Sequence, residues 1–182
     1  MSHAPHQAVP NEMPPPIKGT GSMHTLSILV NNQPGVLMRI CQVFSRRGFN
    51  IDSLVVSEGR NQNFSRMTIG LSGDPQGLHQ IIMQVEKLID VIHCSEHHME
   101  NSVTKEMILI KVRCSPDERG LILQVCKHFN GKTVDLTPTS MIMMITGDTP
   151  KIDAAVTMFS QFQIIETVRT GKVVMARGEQ PT

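Results

Sequence analysis

Two places in the chain hold side chains whose types and spacing could do chemistry. The first is the loop Asn31-Asn32-Gln33-Pro34-Gly35, uncharged and followed by a helical pattern, with Asn50 a short way downstream. A helix N-terminus carries bare backbone N–H groups and a partial positive charge, enough for one carboxylate but not for a cluster of phosphates. Gly35 has no Cβ, so ligand oxygens can approach its backbone closely. Asn32 and Asn50 each carry a donor and an acceptor, which suits the carboxylate and ammonium of a zwitterion together. The loop therefore reads as an amino-acid pocket, although Pro34-Gly35 also fits a plain turn and Asn50 a plain polar loop residue. The second place is His93-Cys94-Ser95-Glu96-His97-His98. On a strand, His93 and His97 share one face and Cys94, Glu96 and His98 the other, so two or three metal ligands at most converge. A polar strand end running into a solvated linker explains the same residues.

Other chemistry fits poorly. A phosphate-cleaving enzyme would need a cationic first loop with a nucleophile or base, and this loop has no Arg, Ser, Cys or His. An RNA-reading sheet needs central aromatics and a basic surface. The chain has 3% aromatics, and its 17 Lys and Arg against 16 Asp and Glu leave a net charge of +1. Neither nucleic acid nor a membrane surface is an expected partner. Its 182 residues, 40% of them hydrophobic, are enough for two small cores, and no apolar run is long enough to span a bilayer. Cys41, Cys94, Cys114 and Cys126 form no CxxC pair, as expected of reduced thiols in a cytoplasmic protein.

The elements that must position the loop follow from periodicity. Leu26, Ile28 and Val30 alternate as in a strand, and Leu37, Ile40, Cys41 and Phe44 then recur as a helical core stripe closed by Arg46, Arg47 and Gly48. Residues 51–57 and 64–71 read as a hairpin. Asp74-Pro75 starts a second helix with the stripe Leu78, Ile81, Ile82, Val85, Leu88 and Ile89, and 91–95 closes as a strand.

The order βαββαβ then repeats. Met107–Val112 is a strand, Ser115 and Glu118 make a capping box for a helix with Ile122, Val125, Cys126 and Phe129, and 133–136 and 142–146 are strands. Thr149-Pro150 starts a helix with Ile152, Ala155, Val156 and Phe159, and 164–174 is strand-like. Asn50-Ile51-Asp52 matches Thr133-Val134-Asp135, and Gly73-Asp74 matches Gly147-Asp148, so the second copy is shorter in its central hairpin, near Thr137-Pro138. The fold expected is α+β, two tandem ferredoxin-like units, each with two helices on one face of a four-stranded antiparallel sheet. The expected division is a disordered Pro-rich leader at 1–22, a first domain at 23–98, a linker at 99–104, a second domain at 105–178 and a tail at 179–182. Met141, Met143 and Met144 are expected in strand packing or an adaptable subunit contact. In the second copy, Cys114-Ser115-Pro116-Asp117-Glu118 puts two carboxylates at the helix start, where they would repel a ligand carboxylate. No equivalent second site is expected.

These residues also carry a resemblance. Asn32-Gln33-Pro34-Gly35-Val36-Leu37, Phe44 to Ile51 and Ser65-Arg66-Met67-Thr68-Ile69 resemble the ACT domain of the small, regulatory subunit of acetolactate synthase. Leu109-Ile110-Lys111-Val112, Val134-Asp135-Leu136, Lys151-Ile152-Asp153-Ala154, Glu166 to Gly171 and Ala176-Arg177-Gly178 are similar to that subunit's C-terminal domain. The resemblance covers residues 23–178. It implies a non-catalytic chain that activates a large subunit and confers feedback inhibition by a branched-chain amino acid, usually valine. It further implies a homodimer through the ACT domains. Carried over by motif, the resemblance places the effector between Asn32, Gly35, Val36 and Leu37 of one copy and Asn50 and Ile51 of the other. No cofactor belongs to this chain on that reading; thiamine diphosphate, FAD and Mg sit on the catalytic partner. A stand-alone metabolite or metal sensor is the competing expectation.

Overall fold

The computed structural model describes residues 22–182, so the expected leader lies outside the described residues except for Ser22. The first unit runs β1 (Ser22–Asn31), α1 (Val36–Arg46), β2 (Asn50–Glu58), β3 (Phe64–Gly73), α2 (Pro75–Val85) and β4 (Val91–Glu96). Its sheet is antiparallel in the order β2-β3-β1-β4, the split-βαβ arrangement. The second unit runs β5 (Ser102–Arg113), α3 (Arg119–His128), β6 (Lys132–Leu136), β7 (Ser140–Gly147), α4 (Thr149–Phe159), β8 (Ile164–Arg169) and β9 (Val173–Ala176). Its order is β6-β7-β5-β8, with β9 added on β5.

Alternation explains each sheet. Leu26, Ile28 and Val30 of β1 meet Ile69, Met67 and Ser65 of β3 and turn toward the helices, where Ile40, Phe44, Leu78, Ile81 and Val85 close a core. Ile108, Ile110 and Val112 do the same in the second unit against Ile122, Ile152 and Phe159. Met141 and Met143 are fully buried there as strand packing. Asp74 caps α2 by accepting from the Gln76 N–H, with Pro75 in the first turn. Gly48, at φ +71, ends α1 as expected.

Four expectations need correction. The α1 stripe keeps Ile40 and Phe44, both fully buried, and takes Val36 in place of Leu37, which is 37% exposed, while Cys41 is half-buried. The face that packs on the sheet is the one carrying Val36, Ile40 and Phe44. α2 ends at Val85, and turns carry the chain on to Asp90, leaving Ile89 93% exposed. The stretch 164–174 is two strands, broken where Gly171 takes φ +82. β9 continues along the β8 edge of β5, pairing with residues 102–105 beyond the Thr170–Met107 hydrogen bond, so β5 starts inside the expected linker and the second sheet has a fifth strand. The shorter second hairpin comes mainly from strand length, with 9 residues in β2 against 5 in β6.

At the base of the second unit the carboxylate of Glu106, 2% exposed, accepts from Arg169 Nε at 2.6 Å and from the Thr149 hydroxyl, while Arg169 Nη1 reaches Asp153 at 2.7 Å. Desolvation opposes the Arg169 charge, but the bonds from these carboxylates outweigh it and raise the guanidinium pKa. Removing one partner of a buried pair leaves the other uncompensated. Arg169→Met is expected to destabilise the chain by about 3–5 kcal/mol in chemical denaturation, and Phe44→Ala by a similar ~3–5 kcal/mol through the cavity it opens.

Candidate functional site

The loop after β1 is held from three sides. Asn31 N–H donates to the Asp90 carbonyl (2.8 Å) and Asn32 N–H to the Asn63 carbonyl (2.8 Å), tying it to the end of the first unit where β4 begins and the β2–β3 hairpin turns. Pro34 leads into Gly35, which caps α1 at φ +85 without a side-chain capping bond. An L side chain is strained at that φ, and a Cβ there would stand 3.3 Å from Arg39 Nη1. The first-turn amides of α1 are thus left without a capping side chain.

An open pocket of about 190 Å³ lies beside this turn, lined by Asn32, Gly35, Val36, Leu37, Val56 and Met67, among others. That is below the roughly 300–1,000 Å³ of pockets for drug-sized ligands and suits one small metabolite. The polar groups lie at the turn, and Val36, Leu37, Val56 and Met67 form an apolar wall. Asn32 Nδ2 donates to the Gln62 carbonyl (3.0 Å) and lies 3.4 Å from a Glu58 carboxylate oxygen. Those acceptors fix which way the amide faces and leave its carbonyl oxygen as the group offered to a ligand.

The structure brings Asn32, Gly35, Val36 and Leu37 together, and it does not bring Asn50 and Ile51 to them. Asn50 pairs with Ser72 at one end of β2, whereas Glu58 pairs with Ser65 at the other, beside the loop. Eight strand residues separate the two ends by about 26 Å. Asn50 Nδ2 donates to Asp52 Oδ1 (2.8 Å), so this amide too has its carbonyl oxygen to offer. β2 is an outer strand of its sheet. A twofold-related copy running antiparallel along that edge would set the Asn50 end of one β2 against the Val56 end of the other.

Sequence reasoning missed Val56, Met67 and Arg39. Val56 and Met67 face each other across the hairpin on the helix side, which alternation from Leu54 and Ile69 would have given. Arg39, one turn from Gly35, pairs with Asp90 and so brings little net charge to the pocket.

The corresponding loop of the second unit borders a larger cavity of about 480 Å³, lined by Arg113, Cys114, Ser115, Glu118, Thr139 and Gln163. There the chain supplies its own carboxylate: Glu118, at the start of α3, accepts from the Ser115 N–H (2.9 Å) and hydroxyl (2.7 Å) in the turn before the helix, and its charge stands where a ligand carboxylate would have to lie. At the histidine-rich segment, His24 Nδ1 lies 2.8 Å from Glu96, and His97 Nε2 3.1 Å from the Ser95 hydroxyl. Cys94 turns into the core, where burial, aided by Glu86, pushes its thiol up to about 12. Among the described residues no three His, Cys, Asp or Glu are grouped to hold a metal, and no helix is long and apolar enough to cross a membrane.

Comparison with known proteins matches residues 26–93 to the acetohydroxyacid synthase small subunit-like ACT domain and residues 105–178 to the small subunit of acetolactate synthase. The chain is 42% identical over 155 residues to the acetolactate synthase small subunit of Mycolicibacterium smegmatis, covering 85% of this chain and 91% of that one. The chain belongs to the acetolactate synthase small-subunit family. The small subunit of Mycobacterium leprae is 40% identical over 155 residues, covering 85% of this chain and 92% of the relative. The crystal structure of the small subunit from Thermotoga maritima superposes with a TM-score of 0.79 at 38% identity, covering 87% of this chain and 99% of that one. As a small subunit of acetolactate synthase, the chain is a regulatory rather than a catalytic component. The first unit is its ACT domain.

The Ser115 bonds, backbone first, hold the exposed Glu118 carboxyl below the ordinary Glu value. A carboxyl with a lowered folded pKa stabilises above its unfolded pKa, and that contribution fades as pH falls through the folded value. Ser115→Ala removes the hydroxyl bond and keeps the larger backbone one, so the Glu118 pKa is expected to rise only part of the way to its ordinary value, read by NMR titration of the side-chain carboxyl.

Proposed function

We propose that two copies of this chain pair through their ACT domains and bind a branched-chain amino acid, L-valine, at the seam. Binding there inhibits a thiamine-diphosphate-dependent large subunit that the chain otherwise activates. The observation that carries the reading is the uncharged Gly35 turn beside an apolar pocket, with its complement, Asn50, at the far end of β2. Recognition divides by charge. The α1 amides and the positive end of the helix take the effector carboxylate, the carbonyl oxygens of Asn32 and of Asn50 from the second copy take its ammonium, and the Val36, Leu37, Val56 and Met67 wall takes an isopropyl group.

The energies are adequate. Charge-assisted hydrogen bonds contribute roughly 1.5–3 kcal/mol each, so two or three of them with burial of a small apolar group support micromolar to millimolar affinity after association costs. Coupling of about 1–3 kcal/mol then gives roughly 5- to 150-fold regulation. The relatives' names, small subunits of acetolactate synthase, support a large catalytic subunit as partner. Thiamine diphosphate, FAD and Mg belong to that partner, and the chain's own residues hold only the effector.

Reconstitution tests the reading: turnover by the large subunit should rise on adding the chain and fall on adding valine, with leucine and isoleucine as comparisons. Turnover that ignores both additions would favour a stand-alone sensor. Gly35→Asp places a carboxylate where the ligand's carboxylate sits, so inhibition should fade while activation persists; unchanged valine sensitivity would exclude the turn. Asn32→Ala should weaken valine binding by calorimetry while the chain stays folded, and wild-type affinity would remove Asn32 from the pocket.

A further inference from the structure

The Gly171 turn of the second unit touches β2, the strand that carries Asn50. Thr170 N–H donates to the Met107 carbonyl (3.0 Å), and Arg169 just before it is anchored on Glu106 and Asp153, so the turn is fixed to β5 and α4. Gly171 then lies so close to Ser53 of β2 that a Cβ built on it would stand 2.6 Å from Ser53 Cβ and 3.1 Å from its Oγ. Only glycine combines that approach with φ +82.

Ser53 adjoins the irregular part of β2. The register with β3 shifts between Ile51 and Ser53, which leaves Asp52 outside the ladder. Asp52 Oδ1 accepts from Asn50 Nδ2 (2.8 Å) and the Ser72 hydroxyl (3.2 Å), whereas Oδ2 is buried without a hydrogen-bond partner. A buried carboxylate oxygen without a donor favours any arrangement that supplies one, so this start of β2 has a reason to move. Contact as close as that of Ser53 and Gly171 passes such a movement on, because packed atoms do not compress.

We propose that the Gly171 turn reads the occupancy of the effector site: a shift of Asn50, Asp52 and Ser53 on binding is delivered through Gly171 to the Arg169–Glu106 base of the second unit. This rests on the effector reading above and assigns its route between the two units. Gly171 and Ser53 are positioning residues, and neither touches the effector.

The test uses the full chain with its large subunit and L-valine as probe. Gly171→Ala forces the turn off Ser53, and Ser53→Gly removes the contact from the other side without crowding, so a folding defect in the first leaves the second informative. Calorimetry should give valine affinity within about twofold of wild type for either free variant. Activation of the large subunit should persist, while maximal inhibition falls at least fivefold, the low end of ordinary coupling. Wild-type inhibition in both variants, with binding intact, would overturn this inference alone. Failure of the wild-type chain to bind valine would overturn the effector reading and this inference with it.

Discussion

β2 is a strand that cannot bring its own two ends together. Val56, near one end, helps wall the pocket at the Gly35 turn, and Asn50, six residues and about 20 Å away, carries the second amide. No bending of one folded chain joins them, whereas antiparallel pairing of two β2 edges joins them twice. An unpaired edge strand is ordinarily something a protein must protect. In the proposed assembly that edge is the means of building the site, and dimerisation and effector recognition become one event.

The two units show how one fold is directed to different ends by a few residues. Both place a strand, a tight loop and a helix N-terminus in the same relation. Neither α1 nor α3 has a side-chain capping bond, but in the second unit the Glu118 carboxylate folds back onto Ser115 and stands at the helix start. The first unit has no carboxylate at its turn, which leaves the positive end of α1 to a ligand in the proposed assembly.

Much of this was legible in the residues. The repeat, the strand order, the Asp74 cap and the Gly48 terminus follow from local chemistry, and the uncharged loop drew attention to the turn beside which the small pocket lies. Leu37 was misread because it sits at helical spacing beside the true stripe of Val36, Ile40 and Phe44, and Ile89 because the apolar spacing runs on past Val85, where α2 ends. Val56 and Met67 were missed as pocket residues because strand alternation gives a face but not what lies above it. β9 was hidden because 164–174 looks uniformly strand-like until Gly171 turns it. Its partner, the start of β5, depends on that turn and on no local signal.

Mixing two variants tests the shared-site account most directly. Asn32→Ala breaks the loop half and Asn50→Ala the strand half, so neither homodimer should bind valine by calorimetry. After subunit exchange each mixed dimer regains one intact site, built from the loop of one chain and the strand of the other. Free exchange should therefore restore about one quarter of the wild-type sites. No recovery beyond the separate variants, with exchange verified, would show that both asparagines act within one chain or not at all, and would contradict a site assembled across the seam.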